Sequence, residues 1–524
     1  MASPPHIVHV VVDDLGWSDL GFAATTAPRT PNIDALALGG VRLERFYAAK
    51  ECAPSRTAIM TGRLPSFQYG YYQNPSDEGG VPLNYTFLPE TLNAAGYATH
   101  AIGKWHAGFR TKAYTPTWRG FDTFFGFYHW GEEYVSHVFP PYYKDAKCRG
   151  VDLSRGVGKQ SLTPVNASGL RSAALFVETF GQILEDHPRG KPLYAYVAFQ
   201  NVHDPYEQAP ASLLRRQPAA APTVLAQRRR NFSAIVAELD DAMGDLVGLL
   251  HQHGLYNNTL LWFNSDNGGE LPFANQSRCG VAGCVSTACC GGAGTNLPLR
   301  GGKFTLHEGG IRSRSFIHAP SLLPEARRGG VWHGLSHVSD LFATFASMAG
   351  ASLPMSARGH DLWSSIVSGG PSPRTELLHQ PLNIFWSGQC ASSDLSNPFT
   401  PSCGAALTVW PHKLIVGYAG DSRIVSPAGA NGSLTAAAGA IGTAGSLAWS
   451  LYDVEADPAE STNLTESSPD IAQELYDRLR ALSTPQAMPQ PADSLTPEPS
   501  DAECAVVQAT GAWQPWEEVS VVEA

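Results

Sequence analysis

The segment Cys52-Ala53-Pro54-Ser55-Arg56-Thr57-Ala58-Ile59-Met60-Thr61-Gly62-Arg63 places a thiol where a helix should begin. Pro54 suits a first helical turn, Gly62 can close the far end, and Arg56 follows Cys52 by four positions, on the same helical face. Unpaired amides at the helix start, the helix dipole and the guanidinium would together favour an anion beside Cys52. A second run, Gly96 to His106, reads as a short strand over Tyr97 to Ile102 with Lys104 and His106 just past it. In extended backbone those two side chains project to one side. A third set is acidic: His6 to Val12 runs into Asp13-Asp14, and Thr259 to Phe263 ends in Ser265-Asp266-Asn267-Gly268-Gly269. Asp13, Asp14, Asp266 and Asn267 are oxygen donors with no sulfur or imidazole among them. Such a set binds a hard divalent cation, calcium first and magnesium second. An isolated Asp-Asp is ordinarily a turn or a cap; two such pairs after two strands point to a metal.

The elements that must carry these residues alternate between strand and helix. His6 to Val12, Leu193 to Phe199 and Thr259 to Phe263 are continuous apolar runs, the pattern of strands buried on both faces. Leu88 to Ala95 reads as a helix. Ile235, Leu239, Met243, Leu246 and Leu250 keep a three-four spacing that predicts a helix over Asn231 to His253, and His337 to Met348 predicts another. The expected fold is α/β, with a mostly parallel sheet covered by helices and its polar residues at the carboxyl ends of strands. Pro354 to Pro373 reads as a boundary, giving a catalytic unit over 1–370 and a smaller C-terminal unit over 371–524. Leu414 to Tyr418 and Trp449 to Tyr452 suggest a short antiparallel sheet in the latter. Gln208 to Arg230 and Ser426 to Gly445 read as surface insertions.

Composition narrows the function classes. The chain has 524 residues, 43% of them hydrophobic, and no apolar run long enough for a membrane span. A net charge of -11 argues against nucleic acid, so any polyanionic substrate would need a locally basic pocket, for which Arg56, Lys104 and Lys303 are candidates. Setting Cys52 aside leaves eight of nine cysteines, enough for up to four bridges. Cys279, Cys284, Cys289 and Cys290 crowd a glycine-rich loop whose spacing fits local disulfides better than a zinc site. N-x-[ST] sequons at Asn84, Asn166, Asn231, Asn257, Asn275, Asn431 and Asn463 agree with a secretory route, secreted or lysosome-like. No basic and apolar leader precedes the first strand in this chain, and a trimmed signal peptide would reconcile that with the sequons.

The run Cys52 to Arg63 resembles the sulfatase signature C-x-P-S-R-x-x-x-[LM]-T-G-R, and Gly96 to His106 resembles the family's second signature, which ends G-K-W-H. Leu299-Arg300-Gly301-Gly302-Lys303 followed by Glu308-Gly309-Gly310-Ile311-Arg312 is similar to a further sulfatase pattern. The likeness covers nearly the whole chain and is nearest the N-acetylgalactosamine-4-sulfatase (arylsulfatase B) subgroup, departing from it in the Cys-rich insertion Ser277 to Thr295 and in missing cysteines around Gln73 to Gly80. It implies an alkaline-phosphatase-like large domain and conversion of Cys52 to formylglycine (3-oxoalanine) by the formylglycine-generating enzyme. The hydrated aldehyde would attack the sulfur of a sulfate ester, the substrates being aryl sulfates and sulfated sugars such as N-acetylgalactosamine 4-sulfate. By the same resemblance Arg56 and Lys104 hold the sulfate, and His106 serves the second hydroxyl of the hydrate. His203 protonates the leaving alcohol, Lys303 bridges sulfate and leaving oxygens, and the residue at position 52 joins the metal shell. Two other readings stay open: a phosphodiester or phosphonate hydrolase of the same superfamily, and a non-catalytic sulfated-glycan binding protein whose cysteine stays a thiol.

Overall fold

The fold is described from a computed structural model over residues 4–24, 27–64, 80–139, 148–159, 162–220, 222–272, 290–379, 404–417, 419–420, 427–428, 433–434, 449–483 and 501–515. Ile7, Val8, Val10, Val11 and Val12 are all fully buried, which requires cover on both faces of their strand. The strand lies inside a ten-stranded sheet. In spatial order its strands are Gly330–Trp332, Val41–Leu43, Ser315–His318, Thr259–Ser265, His6–Val12, Leu193–Ala198, Ala98–Lys104, Thr123–Phe127, Ser154–Val157 and Thr163–Pro164. From Thr259–Ser265 to Thr123–Phe127 every pairing is parallel, and antiparallel pairings flank that centre.

Alternate residues of these strands feed two cores. Ile7, Val11, Tyr196 and Trp262 meet the helices Cys52–Thr61, Leu88–Ala94 and Asp340–Met348. Val8, Val10, Val12, Val197 and Phe263 meet Pro31–Gly39, Ser172–Asp186 and Val224–Gln252. The mostly parallel, helix-covered sheet is therefore as expected. Val12 pairs with Ser265, Val11 with Ala198, and Ala198 with Gly103, so the carboxyl ends of four strands stand level and deliver their following residues to one rim.

The sequence reading places one feature wrongly. The long helix starts at Val224, seven residues before Asn231, because the Thr223 hydroxyl accepts a hydrogen bond from the Ala226 amide and caps it. Its first turns come from the stretch read as surface insertion, and Arg228 there is buried, 2.8 Å from Glu207 and over the Tyr206 ring. The tail returns to the large sheet's core. Helix Asp501–Thr510 packs on the large core, where Cys504 is bridged to Cys148 and Trp513 lies against Phe139 and His129. Replacing Cys504 with serine opens a closure of 356 residues and should destabilise the protein by roughly 2–5 kcal/mol. Melting temperature checks this, and an unchanged melt would mean the bridge contributes nothing.

Strands Glu376–His379, Ala405–Val409, His412–Val416 and Trp449–Asp453 form the expected small antiparallel sheet, covered by helix Pro469–Leu482 through Ala472, Leu475 and Leu479. A buried charge cluster ties this sheet to the large unit. Lys413 Nζ lies 2.8 Å from Glu308 Oε1 and 2.7 Å from Glu460 Oε1. Glu308 also accepts from the Tyr47 hydroxyl at 2.8 Å, and its amide donates to Glu460 Oε2 at 2.7 Å. Burial pushes Glu460 up, but Lys413 and His307 outweigh it and hold this carboxyl low.

Cys290 is disulfide-bonded, while Cys279, Cys284 and Cys289 lie outside the described residues. Of the sequons, Asn84, Asn166, Asn257 and Asn463 are exposed and Asn231 is partly buried; Asn275 and Asn431 lie outside the described residues. Among the described residues no helix is long and apolar enough to cross a membrane.

Candidate active site

Asp13 and Asp14 follow the last residue of His6–Val12. Asp14 adopts a left-handed φ of 59°, which Asp tolerates better than most residues, and its amide faces Asp266 Oδ1 at 3.3 Å. Cys52 opens helix Cys52–Thr61 as expected, after an extended Glu51, and Gly62 closes it with φ 65° and an amide bond to the Ala58 carbonyl. All ten helix residues are buried, so packing on every side holds the helix rather than one apolar face. The Ser55 hydroxyl accepts from the Ala49 amide at 2.9 Å and donates to the Glu51 carbonyl at 3.1 Å, fixing the chain's approach.

The thiol is 3% exposed, with Sγ 3.2 Å from Asp13 Oδ1 and 3.9 Å from Asp14 Oδ1. One turn on, Arg56 Nε and Nη2 lie 2.9 and 2.7 Å from Asp266 Oδ2. Lys104, the last residue of its strand, places Nζ 2.6 Å from Asp13 Oδ2, and Lys303 Nζ lies 2.7 Å from Asp14 Oδ2. His203 points Nε2 at Asp14 Oδ2, 3.6 Å away, while its Nδ1 faces the Asp204 carboxylate and carbonyl at 2.8 and 2.9 Å. The Tyr134 hydroxyl donates to the His203 carbonyl at 2.7 Å. His106 is buried with φ 52°, and neither ring nitrogen has a partner among the described residues. Asp13, Asp14, Cys52, Arg56, Lys104, His203, Asp266 and Lys303 thus come together at one rim.

Ligand atoms of Asp13, Asp14, Cys52 and Asp266 lie within 4.8 Å of one another. Asn267 donates from Nδ2 to Asp14 Oδ1 at 2.7 Å, and its buried Oδ1 has no partner among the described residues. A close set of carboxylates with an orphaned amide oxygen suits a hard cation. Burial raises Asp13, yet Lys104, His203, Arg56 and Lys303 together overcome it and hold this carboxyl far below the usual range. Burial and the Asp13 charge raise Asp266 despite Arg56. Burial, Asp13 and Asp266 push the Cys52 thiol well above its ordinary value, so it stays protonated at neutral pH and is a poor nucleophile as it stands. Burial, Lys104 and Arg56 keep His106 well below its ordinary value and hence neutral. Burial and Lys303 pull His203 down, but Asp13, Asp14 and Asp204 outweigh them and raise it to about 9.

Two residues here escape sequence reasoning. Asn296 is buried and ties three loops together: its Oδ1 accepts from the Trp17 and Gly269 amides at 3.1 and 3.0 Å, and its Nδ2 donates to the Gly269 and Gly301 carbonyls at 2.9 and 3.1 Å. Glu270 is buried, and burial with Asp14 and Asp204 raises its carboxyl against the pull of Lys303 and His203. Its one sequence signal is its place in the Asp266-Asn267-Gly268-Gly269-Glu270 loop. Close backbone approach explains the glycines around it, since a Cβ on Gly268 would lie 1.8 Å from the Gly309 carbonyl oxygen.

Comparison with known proteins agrees with this geometry. Over 98% of its length the chain is 31% identical to arylsulfatase J of Mus musculus, covering 80% of that protein. It is 33% identical to N-acetylgalactosamine-6-sulfatase of Sus scrofa over 70% of this chain and 66% of that one. The solved structure of Ps i-CgsB has the same fold, with a TM-score of 0.71 over 97% of both chains at 24% identity. The sulfatase family model matches residues 5–351, which hold every residue of the site, and the chain accordingly belongs to the sulfatase family, enzymes that hydrolyse sulfate esters.

Proposed function

We propose that this sulfatase cleaves aryl sulfates and sulfated sugars such as N-acetylgalactosamine 4-sulfate, using a formylglycine made from Cys52 and one divalent cation, calcium before magnesium, at Asp13, Asp14, Asp266 and Asn267. The observation that carries this reading is the buried Cys52 thiol, with Sγ 3.2 and 3.9 Å from Asp13 and Asp14, inside a ring of Arg56, Lys104, Lys303 and His203. So inert a sulfur suits a precursor, and Sγ stands in for an oxygen of the formylglycine hydrate. When bound, the cation supplies a Lewis acid for the sulfate oxygens and the nucleophile.

The remaining work falls to this chain's side chains. Lys104 and Lys303 can swing their ammonium groups from Asp13 and Asp14 to sulfate oxygens, and Arg56 adds fixed positive charge behind them. His203, protonated and oriented through Nδ1 by Asp204, offers its Nε2 proton to the leaving alcohol. Lys303 steadies the same oxygen. His106, neutral, can accept a proton from the residue at position 52 as sulfate departs. Maturation by the formylglycine-generating enzyme in the secretory pathway is in keeping with the exposed sequons and the Cys148–Cys504 bridge.

Offering the purified enzyme matched aryl sulfate and aryl phosphodiester substrates tests the reaction: turnover of the sulfate ester should dominate, and preference for the diester would replace this reading with the phosphodiesterase one. Absence of turnover with tight glycan binding would favour the non-catalytic reading. The position of the ester rests on the sequence resemblance. A terminal 4-sulfated galactosamine should exceed its 6-sulfated isomer in kcat/KM by roughly 10²-fold, because an ester displaced by an ångström or more puts its oxygen out of reach of His203 and Lys303. Equal rates, or preference for the 6-sulfate, would remove the 4-sulfatase assignment alone.

A further inference from the structure

We propose that Trp130 is the platform on which the ring of the leaving alcohol stacks, which makes it a specificity-determining residue for sulfate esters of sugars and aryl alcohols. The inference rests on the role of His203 proposed above. Trp130 lies in the loop after strand Thr123–Phe127 and is half-buried between the buried residues His129 and Gly131. Its ring centroid is 5.7 Å from that of His203 at an interplanar angle of 44°. Phe139 also packs edge-on against it, with centroids 5.2 Å apart and planes at 78°. Among the described residues its indole N–H meets no acceptor.

The brace is firm. Phe139 stacks on His129 at 3.8 Å, His129 Nδ1 lies 2.7 Å from Asp152, and Trp513 packs edge-on against both rings. The loop backbone passes close to this imidazole, since a Cβ on Gly131 would sit in ordinary contact, 3.4 Å from His203 Cε1 and Nδ1. The indole therefore holds one orientation before any substrate arrives, and stacking on it costs little ordering.

Geometry then fixes what it meets. The leaving oxygen must come within hydrogen-bond reach of His203 Nε2, and the carbon skeleton it belongs to begins one bond beyond. That skeleton emerges beside the indole. A pyranose or aryl ring presents a flat apolar face to the indole and, in the sugar, hydroxyls for its N–H; inorganic sulfate reaches neither.

The experiment compares wild-type, Trp130→Phe and Trp130→Ala holoenzyme on 4-nitrophenyl sulfate and N-acetylgalactosamine 4-sulfate, with inorganic sulfate as a competitive inhibitor. Trp130→Ala should lose roughly tenfold to hundredfold in kcat/KM on both esters, mainly through KM. Trp130→Phe should keep most of the rate on the aryl ester, while the Ki of inorganic sulfate and the pH profile of kcat stay in place. Unchanged kcat/KM in Trp130→Ala overturns the proposal. So does a parallel rise in the Ki of sulfate or a shifted pH profile, which would make Trp130 a prop for His203. Binding of N-acetylgalactosamine 4-sulfate to Cys52→Ala protein, with and without Trp130→Ala, reads the platform without turnover: a common Kd overturns it even if the sulfatase reading fails.

Discussion

Cys52→Ala protein is expected to lose sulfate ester turnover by on the order of 10⁴-fold or more, because it removes the atom from which the nucleophile is made. Its fold should persist. The side chain touches Asp13 and Asp14 through Sγ alone, and alanine is a better helix former than cysteine at the start of Cys52–Thr61. The measurements are kcat/KM on an aryl sulfate and a thermal melt, joined to the mass of the tryptic peptide Glu51 to Arg56 from active wild-type protein. Conversion to formylglycine replaces the sulfur with oxygen and removes hydrogen, a change that mass alone identifies. Full activity in protein whose peptide still carries the thiol would refute the assignment.

Asp266→Asn should lose its divalent cation and its turnover together, the latter by on the order of 10³-fold, since the cation supplies several kcal/mol of charge stabilisation. Asparagine is the informative replacement. Arg56 directs both Nε and Nη2 at Asp266 Oδ2, and alanine would leave a buried guanidinium short of its main partner at roughly 3–5 kcal/mol. The amide keeps an oxygen in place and removes the charge. Elemental analysis of purified wild-type protein should find one calcium or magnesium per chain, much less in the variant. Stoichiometric zinc, or full activity after chelation, would overturn the all-oxygen site.

What could be read in advance followed from periodicity and from types of residue. The strands His6–Val12, Leu193–Ala198 and Thr259–Ser265 are continuous apolar runs because they are buried on both faces, and their carboxyl ends carry Asp13, His203 and Asp266 within a few residues. Side chains in glycine-rich loops have no period to betray them, which hid Asn296 and Glu270. The start of the long helix was obscured because Ala, Pro and Arg read as surface, while Thr223, the capping residue, is one hydroxyl among many. Cys148 and Cys504 meet only once the tail has crossed back to the large core, a pairing that a count of cysteines leaves undetermined.

The Lys413–Glu308–Glu460 cluster bears on how such enzymes can be recombined. Glu308 stands five positions after Lys303, on the segment that delivers that lysine to Asp14, whereas Lys413 belongs to the small sheet. A chimera that took its small sheet from a relative lacking the lysine would leave Glu308 and Glu460 buried without the ammonium between them, Glu308 keeping only the more distant Arg312 at 3.5 Å, at roughly 3–5 kcal/mol. The damage would surface where the graft meets the segment bearing Lys303. Positions 308, 413 and 460 therefore have to be inherited together, and drift in the small sheet is felt as lost activity.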